Sequence, residues 1–490
     1  MSGKRAQGLR LKALEGTVLG PIAEAALRRA ESLPAVTDET VAAAMAAPRG
    51  ASGLREALSR PGRRFILEVK AASPSLGVIR SDIDLEACAR AYARHADAVS
   101  VLTEPTAFGG SFGCLARMRA LTTLPILAKD VTVDERQILA AGADAVLLML
   151  SVLEPEACRR LAAFAKRLGL DVITEASGEA EVLEAAASGA EIIGINHRNL
   201  RDLTIDLDRS ARLAHLVPGD RILVAESGIR THADVERVAR AARVFLVGSV
   251  LNQTDDVSLA VRRLVFGEMK VCGITRADDA ARAALEGFSA AGVVLAKRSP
   301  KAVTPEALVV LSNEIKERTK ALGLTMPVTA VVDAGETDVL RAIASPAAAG
   351  AFTTLQVHGD VTDADLEGLR VLFPGKALHL AAALPEDPVE LAEAARRLEG
   401  LLERGLADRI VVDGTSGGLT GGSGRTVPQA RLAAFGDLSR IRLAGGLTPE
   451  NARTAAAAGA AGLDANSGVE SAPGLKDPRL LALFAGAVRG

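Results

Sequence analysis

The sequence predicts an α/β protein built of two tandem (β/α)8 barrels, and three observations predict it. The chain has 490 residues, and α/β barrels run to ~200–250 residues as single units, so two fit the length. Short β-branched or leucine-rich runs alternate with Ala/Leu/Arg/Glu-rich helical stretches, eight times before residue 250. The rhythm then restarts and supplies eight more runs. Continuous apolar runs between helical patterns indicate strands buried on both faces of a parallel sheet. Eight such units close on themselves as a barrel.

The first set of runs begins near Phe65 (FILEVK), Asp97 (DAVSVL), Pro125 (PILAK), Asp144 (DAVLLML), Asp171 (DVITE), Glu191 (EIIGIN), Arg221 (RILVAES) and Arg243 (RVFLVGS). The second begins near Met269 (MKVCG), Gly292 (GVVLA), Val328 (VTAVVD), Phe352 (FTTLQVHG), Lys376 (KALHLA), Arg409 (RIVVDG), Arg440 (RIRLAGG) and Ala461 (AGLDANSG). The first 60 or so residues add helical segments ahead of the first strand. Between residues 252 and 270 the chain carries a helix-like SLAVRRLVFGE and no long Gly/Ser/Pro tether. The expected domains are therefore residues 1–266 and 267–490, closely joined rather than leashed.

Composition narrows the function classes. Hydrophobic residues make up 49% and charged residues 24%, which excludes a disordered or collagen-like chain. With 11 Phe, one Tyr and no Trp, the core must be aliphatic, and stacked-aromatic nucleic-acid platforms are not expected. Lys plus Arg number 58 against 60 Asp plus Glu, a net charge of −2, which argues against a nucleic-acid footprint. Cys88, Cys114, Cys158 and Cys272 show no CxxC or zinc spacing, so no disulfide framework or metal site is indicated. No HExxH, calcium loop or dinucleotide GxGxxG context occurs, and no cofactor is expected. The opening MSGKRAQGLRLKALEG is too charged for a signal peptide. Apolar runs such as Ala145–Leu150 fall short of the ~20 residues of a membrane span. The expectation is a soluble cytoplasmic protein acting on small molecules, with no nucleic acid, membrane or obligate protein partner.

Both halves end alike. LVAESGIRTHADV in the first corresponds to RLAGGLTPENA in the second, each a strand running into a Ser-Gly or Gly-Gly turn and a helix start. The strands that follow end in LVGSV and LDANSGVE. Such turns expose backbone N–H groups beside a helix N-terminus, which suits a phosphate. The loops after strands 7 and 8 are the usual phosphate site of such barrels. Tight turns alone would also require glycine, but the same pattern at the same two places in both halves favours phosphate.

In the first half, titratable residues collect at strand C-terminal ends, the face where barrel enzymes do their chemistry. Glu68 and Lys70 are two apart and point to one side. Lys129, Glu175 and Asn196 end the third, fifth and sixth strands, and Glu226 and Ser227 the seventh. Buried charges are costly unless paired, so two lysines and three carboxylates should form a mutually neutralising cluster. A purely structural ion-pair network would perturb the same groups; their common place at the strand ends favours catalysis.

FILEVKAASPSLGVIRSDID, AVSVLTEPTAFGGSF, PILAKD, GINHRNLRDLTIDL and AESGIRT resemble the segments of indole-3-glycerol phosphate synthase, in order over residues 65–250. The resemblance implies closure of carboxyphenylamino-deoxyribulose phosphate with loss of carbon dioxide and water. It makes Lys129 the general acid and gives Glu175 the later proton transfers. Lys70 would pair with the anthranilate carboxylate, with Glu68 and Asn196 positioning. Ser73, Ser227, Gly228, Gly248 and Ser249 would hold the phosphate, Phe108 would wall the aromatic ring, and Arg198 and Glu226 would complete the substrate site. Val131 stands where the family commonly has Phe, and Ala71 and Leu76 where lysines are frequent.

In the second half, Cys272 ends the first strand and Asp413 the sixth, so a thiol and a carboxyl could flank one small ligand. A free cysteine usually behaves as a small buried hydrophobe, but here a glycine follows it at a strand end. MKVCGIT, SPKAV, LQVHG, GGSGRT, LAGGLTPEN and GLDANSGVE resemble phosphoribosylanthranilate isomerase over about residues 269–480. By that resemblance Asp413 is the general acid that opens the sugar, and Cys272 the general base. Thiolate serves as a base where nearby positive charge lowers its pKa. Gly422, Gly424, Gly445, Gly446, Asn466 and Ser467 would line the phosphate site, with Asp464, Gln356 and His358 supporting. Lys301 replaces the family's usual Arg, so a point charge stands for a bidentate fork, with Arg298 a potential substitute. The loop after Asp413 is a few residues longer than the family norm.

Together the two resemblances imply a fused bifunctional enzyme of tryptophan biosynthesis, the C-terminal barrel supplying the substrate of the N-terminal one. Two rival readings remain open on the residues: barrels acting on other sugar phosphates, and one barrel as a non-catalytic phosphate-binding or scaffold module.

Overall fold

The computed structural model describes residues 8–199, 202–414 and 427–490. The chain forms two compact units, Met1–Arg230 with Asp234–Val261, and Thr231–Ala233 with Arg262–Gly490. Each contains a closed barrel of eight parallel strands.

The first barrel runs β1 (Arg64–Val69), β2 (Ala98–Leu102), β3 (Ile126–Lys129), β4 (Ala145–Met149), β5 (Asp171–Ala176), β6 (Ile192–Asn196), β7 (Ile222–Glu226) and β8 (Val244–Val247). Sequence neighbours pair throughout, and β8 returns to β1 with Leu67 opposite Val247. Almost every strand residue is buried, as expected of strands sandwiched between barrel interior and helices. All eight coincide with the apolar runs read from the sequence. Strand β1 stops one residue before Lys70, and β5 continues one residue past Glu175.

Helix α1 (Leu19–Ser32) precedes the barrel and buries Leu19, Ile22, Ala23, Ala26 and Ala30. That i, i+3, i+4, i+7, i+11 spacing is one continuous helical stripe. Its stripe is mostly alanine at the C-terminal end, which allows close packing, while Leu19 and Ile22 carry the bulk nearer the barrel mouth.

The second barrel runs β9 (Lys270–Cys272), β10 (Ala290–Val294), β11 (Val328–Asp333), β12 (Thr354–His358), β13 (Ala377–Ala383), β14 (Arg409–Asp413), β15 (Ile441–Ala444) and β16 (Gly462–Ala465). It closes with Val271 opposite Ala465. These eight also match the sequence reading. Beyond β16 a short turn, Ser467–Val469, leads into a two-stranded ribbon pairing Glu470 with Lys476. Among the described residues no helix is long and apolar enough to cross a membrane.

Candidate active sites

The C-terminal ends of β1–β8 open into a cavity of about 260 Å³. Glu68, Lys70, Ser73, Phe108, Lys129, Glu175, Asn196, Arg198, Ser227, Gly228, Gly248 and Ser249 all line it. Every first-half residue picked out in the sequence is thus brought together here, and Glu226 reaches the cluster through Lys129.

Two ion pairs organise its floor. Lys70 Nζ donates to Glu68 Oε1 at 2.7 Å. Lys129 Nζ donates to Glu226 Oε2 at 2.7 Å and lies 3.6 Å from Glu68 Oε2. Ser100 on the neighbouring strand adds a 3.3 Å hydrogen bond to Glu68 Oε2. Glycine at position 194 makes this possible: a Cβ there would lie 2.2 Å from Glu226 Oε1. Burial opposes the charge on Lys129, but Glu226, Glu68 and Glu175 outweigh it, so its pKa lies above the ordinary lysine value. Burial also opposes the Glu68 carboxylate, yet Lys70 and Lys129 hold its pKa below the usual range.

Glu175 corrects the expectation of three neutralising carboxylates. Its Oε1 accepts only a 3.1 Å hydrogen bond from Asn196 Nδ2. Burial, and then the nearby Glu226 charge, push its pKa up to about 8, Lys129 only partly opposing them. Two lysines therefore pair with two carboxylates, Glu68 and Glu226, while the Glu175 carboxyl holds its proton to higher pH than an ordinary glutamate.

The turn after β7 is strained. Ser227 has φ 68° and Gly228 φ 81°, and a non-glycine residue in the left-handed region persists only where its surroundings impose it. His197 imposes it here: Nδ1 donates to the Ser227 carbonyl oxygen at 2.9 Å, and Nε2 accepts from the Ser210 hydroxyl at 2.6 Å. Burial keeps His197 neutral by lowering its pKa, which this donor–acceptor pattern requires. Phe108 is set by the short helix Pro105–Phe108, whose first N–H groups are capped by Glu104, with Thr106 N 2.8 Å and Ala107 N 2.7 Å from its carboxylate.

Several contributors were not singled out in the sequence. Val18, Leu19 and Ile22 line the cavity from the start of α1 and the residue before it. Arg29, further along α1, pairs with Asp130, which also accepts a 2.8 Å hydrogen bond from Thr103. The amphipathic stripe signalled a buried helix face but not what it covers.

At the C-terminal ends of β9–β16, Cys272 and Asp413 are both buried. Room for the thiol comes from Gly292, where a Cβ would meet Cys272 Sγ at 2.9 Å. Lys270, two residues earlier, is fully buried and paired with Asp464. Burial pushes the Cys272 thiol pKa up, and Lys270 recovers only part of the shift. Positive charge near the thiol does lower this pKa, but in the resting barrel burial outweighs it, and the charge of Lys270 is shared with Asp464.

Gln356 Nε2 donates to His358 Nε2 at 3.0 Å. Burial and Lys270 drive the His358 pKa down to about 4, so it is a neutral acceptor. Lys301 Nζ donates to Asn466 Oδ1 at 2.7 Å and to both Glu470 oxygens at 2.8 and 2.9 Å. Lys476 Nζ shares Glu470 at 2.6 Å. Glu470 and Lys476 were not singled out in the sequence, because their ribbon reads there as a loop. Arg298 lies 3.4 Å from Asp333 at the end of β11. Gly445 and Gly446, directly after β15, have φ 80° and 57°, and Ser467 opens the turn after Asn466. Gly422, Gly424 and the long loop after Asp413 lie outside the described residues.

Comparison with known proteins follows the same division. The indole-3-glycerol phosphate synthase family model matches residues 23–264, and that for N-(5'phosphoribosyl)anthranilate isomerase matches residues 269–487. The tryptophan biosynthesis protein TrpCF of Vibrio cholerae is 40% identical over 87% of this chain and 86% of its own. That of Corynebacterium glutamicum is 39% identical over 87% of both. Among solved structures, a phosphoribosyl anthranilate isomerase from Thermus thermophilus is 28% identical, covering 45% of this chain and 98% of its own at a TM-score of 0.36. The chain belongs to the TrpCF family and is a bifunctional enzyme of tryptophan biosynthesis, a synthase barrel followed by an isomerase barrel.

Proposed function

We propose that the first barrel closes carboxyphenylamino-deoxyribulose phosphate to indole-3-glycerol phosphate, releasing carbon dioxide and water, and that the second makes this substrate from phosphoribosylanthranilate by Amadori rearrangement. The observation that carries the reading is Lys129, held 2.7 Å from Glu226 on the floor of a cavity that Glu175, its pKa raised by burial, also lines. Lys129 donates to the substrate carbonyl; with its proton firmly held, it polarises that oxygen and releases the proton only as negative charge develops there. Glu175, poised near neutrality, serves the later proton transfers and the dehydration. Lys70 exchanges Glu68 for the anthranilate carboxylate, Asn196 orients Glu175, and Phe108 and Val131 wall the ring. Ser73, Ser227, Gly228, Gly248 and Ser249 receive the phosphate, with Arg198 and Glu226 completing the site.

In the second barrel Asp413 protonates the furanose ring oxygen and opens the sugar. The resulting iminium adds to the positive charge of the resting site, so Cys272 becomes a competent base for the C2′ proton only once the ring has opened. Lys301 takes the anthranilate carboxylate in exchange for Glu470, with Arg298 at the same rim. Gly422, Gly424, Gly445, Gly446, Asn466 and Ser467 receive the phosphate, while Asp464, Gln356 and His358 hold the polar surroundings. The reactions use no cofactor, and the enzyme works in the cytoplasm on small sugar phosphates without an obligate partner.

A coupled fluorescence assay on the whole chain tests both halves. It should consume phosphoribosylanthranilate and then the rearranged intermediate. Failure of the first step removes the isomerase assignment, and failure of the second removes the synthase assignment.

A further inference from the structure

The second barrel also carries charge at the opposite end of its strands, away from Cys272 and Asp413. Arg409 opens β14, Arg442 is second in β15, His379 is third in β13, and Glu268 lies two residues before β9. Both guanidinium groups converge on one carboxylate oxygen: Arg409 Nη2 is 2.8 Å and Arg442 Nη2 3.2 Å from Glu268 Oε2. The Arg442 side chain is 4% exposed. His379 Nδ1 lies 3.5 Å from Arg442 Nη1, and burial with the two arginines pushes its pKa down to about 2, so it contributes no charge.

Two buried N–H groups are left over. Among the described residues, no hydrogen-bond acceptor meets Arg442 Nε or Arg409 Nη1. Two other carboxylates of this barrel pair elsewhere, Asp464 through Oδ2 with Lys270 and Asp408 with Arg370. Arg440 adds further positive charge while donating to the carbonyl oxygens of Leu402, Ala407 and Asp408. Two guanidinium groups meet one carboxylate, and Arg440 adds to them, so positive charge is in excess here, together with buried donors that lack acceptors. Each is costly by itself.

We propose that Arg409 and Arg442 bind one small monovalent inorganic anion, of the halide class, beside Glu268 at the N-terminal end of the second barrel. One negative charge offsets the excess and accepts both leftover N–H groups as charge-assisted hydrogen bonds. Two leftover N–H groups offer one small acceptor position and cannot satisfy the several oxygens of a phosphate, so the site suits a halide. The site is independent of the reactions at the other end of the strands.

Crystals of the whole chain soaked in bromide test it without any substitution. An anomalous peak within hydrogen-bonding reach of Arg442 Nε and Arg409 Nη1 is expected; bromide found only elsewhere, with water against those atoms, overturns the site. In solution, exchanging gluconate for chloride at constant ionic strength should raise the unfolding midpoint of the second barrel by about 2–4 °C, saturably. Glu268→Gln removes the competing carboxylate and should move that response to lower chloride. Equal midpoints in the two salts overturn the proposal.

Discussion

Replacing Glu175 by Gln keeps the shape of the side chain and its ability to accept from Asn196 Nδ2, while removing the exchangeable proton. With its pKa pushed up by burial and by Glu226, the wild-type carboxyl keeps its proton well above the ordinary glutamate range. A positioned acid–base group contributes ~10²–10⁴ in rate, so synthase kcat should fall by about that factor, and isomerase kcat should not change. The pH dependence gives a second readout. Below the ordinary unfolded glutamate value of ~4.3 both folded and unfolded chains hold the proton. Between there and about 8 the folded chain alone keeps it, so the stability it confers drains away at up to about 1.4 kcal/mol per pH unit and is gone above about 8. E175Q should flatten that slope in urea unfolding followed from pH 5 to 9, and should erase the kinetic limb near pH 8. A variant within about threefold of wild-type kcat that still loses activity through pH 8 would refute the assignment.

Three further outcomes are expected. Lys129→Met strands Glu226, which is fully buried, without its cation, at a cost of ~3–5 kcal/mol; adding Glu226→Gln should restore the urea midpoint but not synthase turnover. Cys272→Ser should cut isomerase kcat ~10²–10⁴-fold and leave the synthase intact, and alkylation of the wild-type thiol should be slower at pH 7 than that of an ordinary exposed cysteine and rise with pH. Ile22→Ala, trimming a buried residue of the cavity wall, should cost about 2 kcal/mol and raise synthase KM more than it lowers kcat, a split that steady-state kinetics with both substrates would detect.

The sixteen barrel strands were legible because each is a continuous apolar run, and a strand buried on both faces leaves no other pattern. The rim residues were legible for a related reason: Glu68, Lys129 or Asn196 at the end of such a run interrupts it where the barrel opens. Ionisation states were not. Glu175 and Glu226 look alike in sequence, and only their three-dimensional neighbours make one the partner of Lys129 and leave the other holding its proton to higher pH. Cys272 is two residues from a lysine, but the lysine is claimed by Asp464 from the far end of the chain. His197 escaped notice because its task is to hold the Ser227 backbone, which depends on a contact with residue 210. The charges of Glu268, Arg409 and Arg442 carry no such signal in the sequence, because they stand at strand beginnings, away from the face where barrel chemistry is expected.

Helix α1 has a bearing on how the enzyme is made. Leu19 and Ile22 leave the ribosome before any barrel strand, yet the cavity they line is completed by residues as far along the chain as Leu246 and Val247 of β8. The substrate chamber is therefore complete only when both ends of that span are in place, so synthase turnover regained during refolding reports the assembled wall and not the sheet alone.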